Sequence, residues 1–290
     1  MSKLSLGTAQ FGLSYGVSNK KGKVKSQEVK KILQLAKISN IDTIDTAITY
    51  GDSEKTIGDI GFKNLRIITK LPALSKNCDD VYSWVKKKVK SSLKKLKTTS
   101  LYGVLVHKTA DLSGDQGMKL INALNELKLN GLVKKIGISI YDPDECENLM
   151  KLTRFDIVQA PLNIVDRRLE NSGWLSRLHL EEVEIHTRSV FLQGLLLMPR
   201  NQIPNTFNKW SKVWDEWALK LKNNDLSAVE ACLSYPLSLP EINKIIVGVE
   251  NVNQLREIID KSETKKITND FSFMISNDQM LINPTNWQSI

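Results

Sequence analysis

Cysteine is scarce. Cys78, Cys146 and Cys232 are the only three in 290 residues, and their odd number and wide spacing exclude a disulfide framework and a zinc motif. Long apolar runs are missing too: the longest stretches, such as residues 190–198, fall well short of the roughly 18 residues of a membrane-spanning helix. No Gly-x-Gly-x-x-Gly and no Gly-x-x-x-x-Gly-Lys-Ser/Thr occurs, so neither a Rossmann turn nor a phosphate-cradling loop is supported. His107, His179 and His186 form no His-x-x-x-His pair, and no metal is expected. Residues 1–7 hold a lysine but no continuous apolar segment and no small-residue cleavage site. No signal peptide is read there, and a cytoplasmic protein is expected.

What is present is an ordinary globular composition, 41% hydrophobic and 25% charged, which excludes collagen-like and wholly disordered chains. Lys and Arg total 41 against 32 Asp and Glu, a net charge of +9. Lysines gather at 20–25 and at 86–97, which raises the question of a polyanion-binding face. In the second cluster Val85, Val89, Leu93 and Leu96 keep helical spacing, so the lysines fall on the opposite, solvated side of an amphipathic helix. No nucleic-acid-binding motif accompanies them. Neither a nucleic acid nor a membrane is expected as a partner.

Short β-type runs alternate with longer segments of helical period. Strands are expected over 4–8, 43–45, 66–70, 101–107, 135–139, 156–160, 184–187 and 244–247. Helices are expected over 26–39, 53–60, 79–96, 115–130, 142–152, 168–178, 226–235 and 251–261. Asp79 precedes an apolar-periodic run, and Asp142-Pro143 places proline at an expected first helical position. Eight alternating units imply parallel strands with right-handed crossovers, and they fit a closed (β/α)8 TIM barrel better than an open sheet. With no linker in sight, a single α/β domain over 1–290 is expected, its core at about 3–260. Two segments break the alternation: an insertion after the seventh strand, 199–221, and a tail over 268–290. Trp210, Trp214 and Trp217 share a helical face in the insertion, most simply for packing.

Polar residues sit where strands are expected to end: Asp45, Lys70 and His107, with Tyr50 five positions beyond Asp45. In a closed barrel such ends converge on one mouth.

These residues resemble the aldo-keto reductase family. Leu6-Gly7-Thr8-Ala9-Gln10-Phe11-Gly12 is similar to its first-strand motif. Asp45-Thr46-Ala47-Ile48-Thr49-Tyr50-Gly51-Asp52-Ser53-Glu54, with Gly58, resembles its most diagnostic stretch. Thr69-Lys70, Val104-Leu105-Val106-His107, residues 131–139 and Val158-Gln159-Ala160-Pro161-Leu162-Asn163 extend the likeness, as does Ile246-Val247-Gly248 followed by Asn253-Gln254-Leu255-Arg256-Glu257. The resemblance implies an NAD(P)H-dependent oxidoreductase that reduces a carbonyl to an alcohol.

Each member of the set then has a chemical reason. Hydride arriving at a carbonyl carbon leaves an alkoxide-like oxygen that needs a proton; Tyr50 is the expected donor. A nearby ammonium favours the phenolate, so Lys70 is expected to lower the phenol's pKa, with Asp45 neutralising the lysine and holding it in place. His107 is expected to orient the carbonyl by a hydrogen bond. The resemblance also implies a nicotinamide dinucleotide across the mouth, held by Gly7, Thr8, Ser139, Gln159 and Asn163 near the carboxamide and ribose. Gly248, Asn253, Gln254 and Glu257 would hold its adenosine end. Two departures stand out. Ile140 replaces the family's usual Asn, and Arg188 stands where an aromatic usually stacks on the nicotinamide, a place that a guanidinium plane can also take, or from which it can form a salt bridge elsewhere. NADPH is the expected form; Glu250 leaves NADH open because a carboxylate repels a 2′-phosphate and accepts hydrogen bonds from a ribose diol.

Two other readings remain open at the level of sequence: a nicotinamide-sensing regulatory protein of the same fold, and a lyase or isomerase using Lys70 as a Schiff base. The substrate is expected to be a ketosugar or other sugar-derived carbonyl. Phe11, Tyr15, Trp210 and Trp287 are candidate pocket walls, the walls being expected mainly from 200–217 and the tail.

Overall fold

The structure, a computed structural model, describes residues 2–75, 78–263 and 270–289. Eight strands follow one another around a closed parallel barrel: β1 Leu4–Gly7, β2 Thr43–Asp45, β3 Arg66–Leu71, β4 Leu101–Val106, β5 Val133–Ser139, β6 Ile157–Pro161, β7 Glu184–Arg188 and β8 Lys244–Gly248. Closure is made by β8 pairing in parallel with β1, Leu6 opposite Val247. These strands are largely buried on both faces: Leu4, Leu6, Ile44, Val104, Val106, Ile136, Ile138 and Val158 belong to the main apolar core, while Asp45, Lys70 and Gln159 are buried polar residues.

The crossover helices form where apolar residues recur at helical spacing. In Val81–Leu96, Val81, Val85, Val89 and Leu96 are at most 2% exposed, each such burial worth about 1.5–3 kcal/mol. Lys87, Lys90 and Lys94 of the same helix face solvent. That helix starts two residues later than Asp79 suggests, because Asp80 is the cap, accepting from the Ser83 amide at 2.9 Å. The expected proline start at Asp142-Pro143 also moves. The Glu145 carboxylate accepts from the amides of Tyr141 and Asp142, folding that stretch into a turn ahead of the helix Glu145–Leu152. The helix expected over 168–178 is two, Arg168–Asn171 and Trp174–Leu180, separated at Gly173, whose φ of 78° lies in the left-handed region.

Inside the barrel, Ile68, Leu105 and Ile157 form a small apolar plug distinct from the main strand–helix core. Because side chains alternate along a strand, Arg66 and Lys70 share the inward side with Ile68, one below the plug and one above it. Below, at the N-terminal ends of the strands, charges close the floor. Glu184 accepts from Tyr102 at 2.7 Å and pairs with Lys135 at 2.8 Å and with His186 at 3.3 Å. Arg66 and Lys135 lie over the Tyr102 ring, and Lys244 pairs with Asp42. Above the plug the barrel is open.

The insertion and tail pack on each other. Trp214 donates to the Phe207 carbonyl and Trp217 to that of Leu196, Phe271 meets Trp217 edge-on at 5.5 Å, and Trp287 meets Phe207 at 4.9 Å. The tail is also tied to the loop after β6 by the Ser276 amide, which donates to the Val165 carbonyl. No helix among the described residues is long and apolar enough to cross a membrane.

Candidate active site

Above the plug lies a cavity of about 450 Å³. Asp45, Tyr50, His107, Ser139, Gln159 and Arg188 line one part of it; Gly7 and Thr8 join this part to Gly248, which pairs with Gly7 across β1 and β8, and so to Glu250, Gln254 and Glu257. Of the four expected catalytic residues, Lys70 alone does not line it. Its side chain is 1% exposed and lies beneath, donating to Asp45 Oδ1 at 2.6 Å and to the Thr46 carbonyl at 3.0 Å. An amine so covered and so paired does not face a substrate carbonyl, which removes the Schiff-base reading. Asp45 is held from its other side as well, since Gln159 on β6 donates to its Oδ2 at 2.7 Å.

Tyr50 stands over this pair. The Lys70 ammonium is 5.2 Å from the centre of its ring, and His107 meets it edge-on, ring centres 6.2 Å apart. Thr49 Oγ1 approaches His107 Nδ1 at 3.5 Å. The turn that presents Tyr50 is fixed by close backbone contact. A Cβ on Gly12 would come within 1.8 Å of the Tyr50 carbonyl oxygen, and Gly51, at φ 54°, presses back on the Gly12 carbonyl. A buried hydroxyl cluster seals the junction: Ser53 donates to the Thr8 carbonyl and meets the Thr46 hydroxyl, and Thr8 donates to the Asp45 carbonyl.

The electrostatics correct one expectation. Burial, followed by the Asp45 charge, holds the Tyr50 phenol above its ordinary range, with Arg188 pulling the other way. Lys70, paired with Asp45, does not outweigh burial in setting the phenol's range. Burial pulls the Lys70 ammonium below its ordinary range against the opposing attraction of Asp45. Burial and then Lys70 bring His107 down to about 4, so the imidazole is neutral at physiological pH. Tyr15, a second phenol in the cavity, is pushed up to about 12, mainly by burial.

Of the expected walls Tyr15 lines the cavity, while the others are elsewhere. The cavity's remaining walls come from the loop after β1 (Tyr15, Gly16, Ser18), from Tyr141 after β5, and from the loop after β7 (Ser189, Val190, Phe191, Gln193, Gly194, Leu197). Phe11 is 0% exposed in the core, Trp210 and Trp287 pack around Phe207, and neither residues 200–217 nor the described tail lines the cavity. Asn163 does not line it either; it bridges turns, donating to the Ser189 carbonyl and accepting from the Val165 and Asp166 amides. Asn253 is likewise outside, accepting from Arg256. Sequence reasoning missed Tyr141, which lies two positions beyond Ser139, and the left-handed run Leu192 (φ 46°), Gln193 (φ 53°) and Gly194 (φ 89°). That loop is clasped to the first by the Val17 amide, which donates to the Gln193 carbonyl.

The donor set suits a nicotinamide dinucleotide. One cavity is lined by hydroxyl, amide and guanidinium groups around Tyr50 and by the helix start after β8, where the Gln254 amide is capped by Asn251. Comparison with known proteins decides the family: the profile described as Aldo/keto reductase family matches residues 3–276.

The chain belongs to the aldo/keto reductase family.

It is similar to an uncharacterized oxidoreductase, YqkF, of Bacillus subtilis, 27% identical over 92% of this chain and 93% of that one. It also resembles the NADH-specific methylglyoxal reductase of Escherichia coli, 29% identical over 126 residues that cover 42% of this chain and 38% of that protein. Among solved structures, the holo form of aldo-keto reductase AKR11C1 from Bacillus halodurans shares the fold, with a TM-score of 0.75 at 19% identity over 94% of this chain and 90% of that one. As an aldo/keto reductase, this chain is an NAD(P)H-dependent oxidoreductase acting on small carbonyl compounds.

Proposed function

We propose that this aldo/keto reductase reduces a sugar-derived aldehyde or ketone to the alcohol, with Tyr50 as the proton donor. The observation that carries this reading is the buried Lys70–Asp45 pair, closed by Gln159, directly under Tyr50 and His107 in a single cavity. A nicotinamide held there would supply hydride to a carbonyl carbon. Because its phenol is held above its ordinary range, Tyr50 keeps its proton at neutral pH and gives it to the carbonyl oxygen as negative charge gathers there. Lys70, 5.2 Å from the ring centre, supports the phenolate that remains, while Asp45 prevents the ammonium from standing unpaired in the core. His107, neutral above about pH 4, positions the carbonyl by hydrogen bonding.

In this reading Gly7, Thr8, Ser139, Gln159 and Arg188 hold the nicotinamide half, and Gly248, Gln254 and Glu257 the adenosine half. The choice between cofactor forms turns on the second group. Glu250, Gln254 and Glu257 line that part, and among the described residues no lysine or arginine does, a lining that favours the ribose diol of NADH over the 2′-phosphate expected from the sequence. The E. coli relative is named as NADH-specific, which agrees. Fluorescence titration with NADH and NADPH tests this, and tighter binding of NADPH overturns it. For the mechanism, Tyr50→Phe is expected to abolish turnover while leaving the cofactor Kd within about threefold, and retained turnover overturns it.

A further inference from the structure

Arg188 is the last residue of β7, and its guanidinium is held in place inside the cavity. Nη2 donates to the Ile140 carbonyl at 2.9 Å, Nη1 to Ser189 Oγ at 3.3 Å, and one face lies 4.3 Å from the centre of the Tyr141 ring. No carboxylate pairs with it among the described residues. A guanidinium has five N–H donors, and these contacts use two.

The surroundings make this charge matter. Tyr15, Tyr50, Lys70 and His107 all feel Arg188 as a nearby charge, and the carboxylate that bears on Tyr50, Lys70 and His107 is Asp45. Around Tyr50 two cations, Lys70 and Arg188, therefore face one carboxylate, Asp45. That carboxylate is already saturated by Lys70 and Gln159. His107 is neutral and the phenols keep their protons. One positive charge is left over in a partly enclosed site, where a charge without a partner is costly.

We propose that the carbonyl substrate carries an anionic group, a carboxylate or a phosphate ester, and that Arg188 binds it. This assignment rests on the reductase reading above and narrows its substrate class. Stacking on a nicotinamide uses a face of the guanidinium, whereas an anion is met by its N–H edge, so the two roles are compatible. Planar donors of this kind suit carboxylate and phosphate oxygens, and a neutral sugar carbonyl offers nothing to neutralise them.

The test compares matched pairs that differ by the anionic group: D-glucuronate with D-glucose, D-glyceraldehyde 3-phosphate with D-glyceraldehyde, and succinate semialdehyde with butanal. Wild-type enzyme is expected to prefer the anionic member of at least one pair by roughly tenfold or more in kcat/KM. Arg188→Met, which keeps an apolar stem over Tyr141, is expected to bring that ratio close to one, mainly through KM. Arg188→Lys, a point charge without the planar fork, is expected to keep part of it. As a readout free of turnover, sn-glycerol 3-phosphate and D-gluconate should raise the melting temperature of wild type and not of Arg188→Met, while glycerol raises neither.

Equal or better use of the neutral member in every pair, or a preference unchanged in Arg188→Met, overturns the assignment. Tyr50→Phe separates the two claims. If it is inactive while wild type ignores charge, only the Arg188 assignment fails. If it still reduces both members, the mechanism fails, and the anion preference is judged on the Arg188 variants alone.

Discussion

Gln159 on β6 reaches across the barrel to Asp45 on β2 and donates a 2.7 Å hydrogen bond to Oδ2, the oxygen that Lys70 does not use. The carboxylate is thereby fixed from two directions, and the ammonium it anchors is fixed with it. This arrangement sets the cost of disturbing the site.

Lys70→Met leaves Asp45 buried with only an amide for company. Breaking a buried pair from one side costs about 3–5 kcal/mol, so urea unfolding should show a loss of that order together with loss of turnover. Replacing both partners, Lys70→Met with Asp45→Leu, should recover much of the stability and none of the activity. A double variant as unstable as the single one would mean that the pair does not act as a unit.

The pH behaviour follows from two groups. His107 titrates at about 4 against an ordinary 6.5, and Tyr50 lies above its ordinary 10. Carbonyl reduction should therefore show a flat kcat/KM from about pH 5 to about pH 9, while the reverse oxidation, which needs the phenolate, should rise towards alkaline pH. A descending limb in reduction near pH 6.5 would show that the imidazolium is required. For stability the sign is the same as for any group depressed on folding: the His107 contribution is complete above about 6.5 and is lost as pH falls through about 4.

Gly12 packs against the turn that carries Tyr50. A Cβ there would stand 1.8 Å from the Tyr50 carbonyl oxygen, so Gly12→Ala must push that turn outward. Activity should fall by about 10²-fold, with far-ultraviolet circular dichroism unchanged. Wild-type turnover in Gly12→Ala would show that the turn tolerates displacement.

Glu184 governs the acid limb of stability. Burial raises its pKa, but hydrogen bonds from His186, Lys135 and Tyr102 outweigh it and bring the carboxyl from 4.5 to about 2. Its stabilisation is thus present above about 4.5 and is lost as pH falls towards 2. Glu184→Gln should be less stable than wild type at pH 7 by about 1–3 kcal/mol and should show a shallower loss between pH 4.5 and 2. Chemical denaturation across that range measures both.

Much of this was legible in the chain. All eight strands were expected to within a few residues, because short β-type runs stand out between the longer segments of helical period. Asp45, Tyr50 and His107 were legible because strand ends in a barrel meet at one mouth. The Gln159–Asp45 bond was not, since the two residues are 114 positions apart and only closure sets their distance. Phe11 looked like a wall but turns into the core within the short helix Ala9–Gly12. Periodicity cannot show which way a single helical turn faces. The packing reading of Trp214 and Trp217 holds, whereas Trp210, also offered as a wall, packs beside Phe207. Helical spacing did not reveal that Trp217 braces the Leu196 carbonyl and hence the loop walling the cavity.

The floor of charges at the opposite end of the barrel has one more implication. Glu184, Tyr102, Lys135 and Arg66 weld the strand starts together beneath the apolar plug, so the cylinder has a foundation that takes no part in reactivity. Grafting new loops onto the upper rim alters what is accepted without loosening the foundation, and a lesion in the basement lowers the amount of enzyme rather than its selectivity.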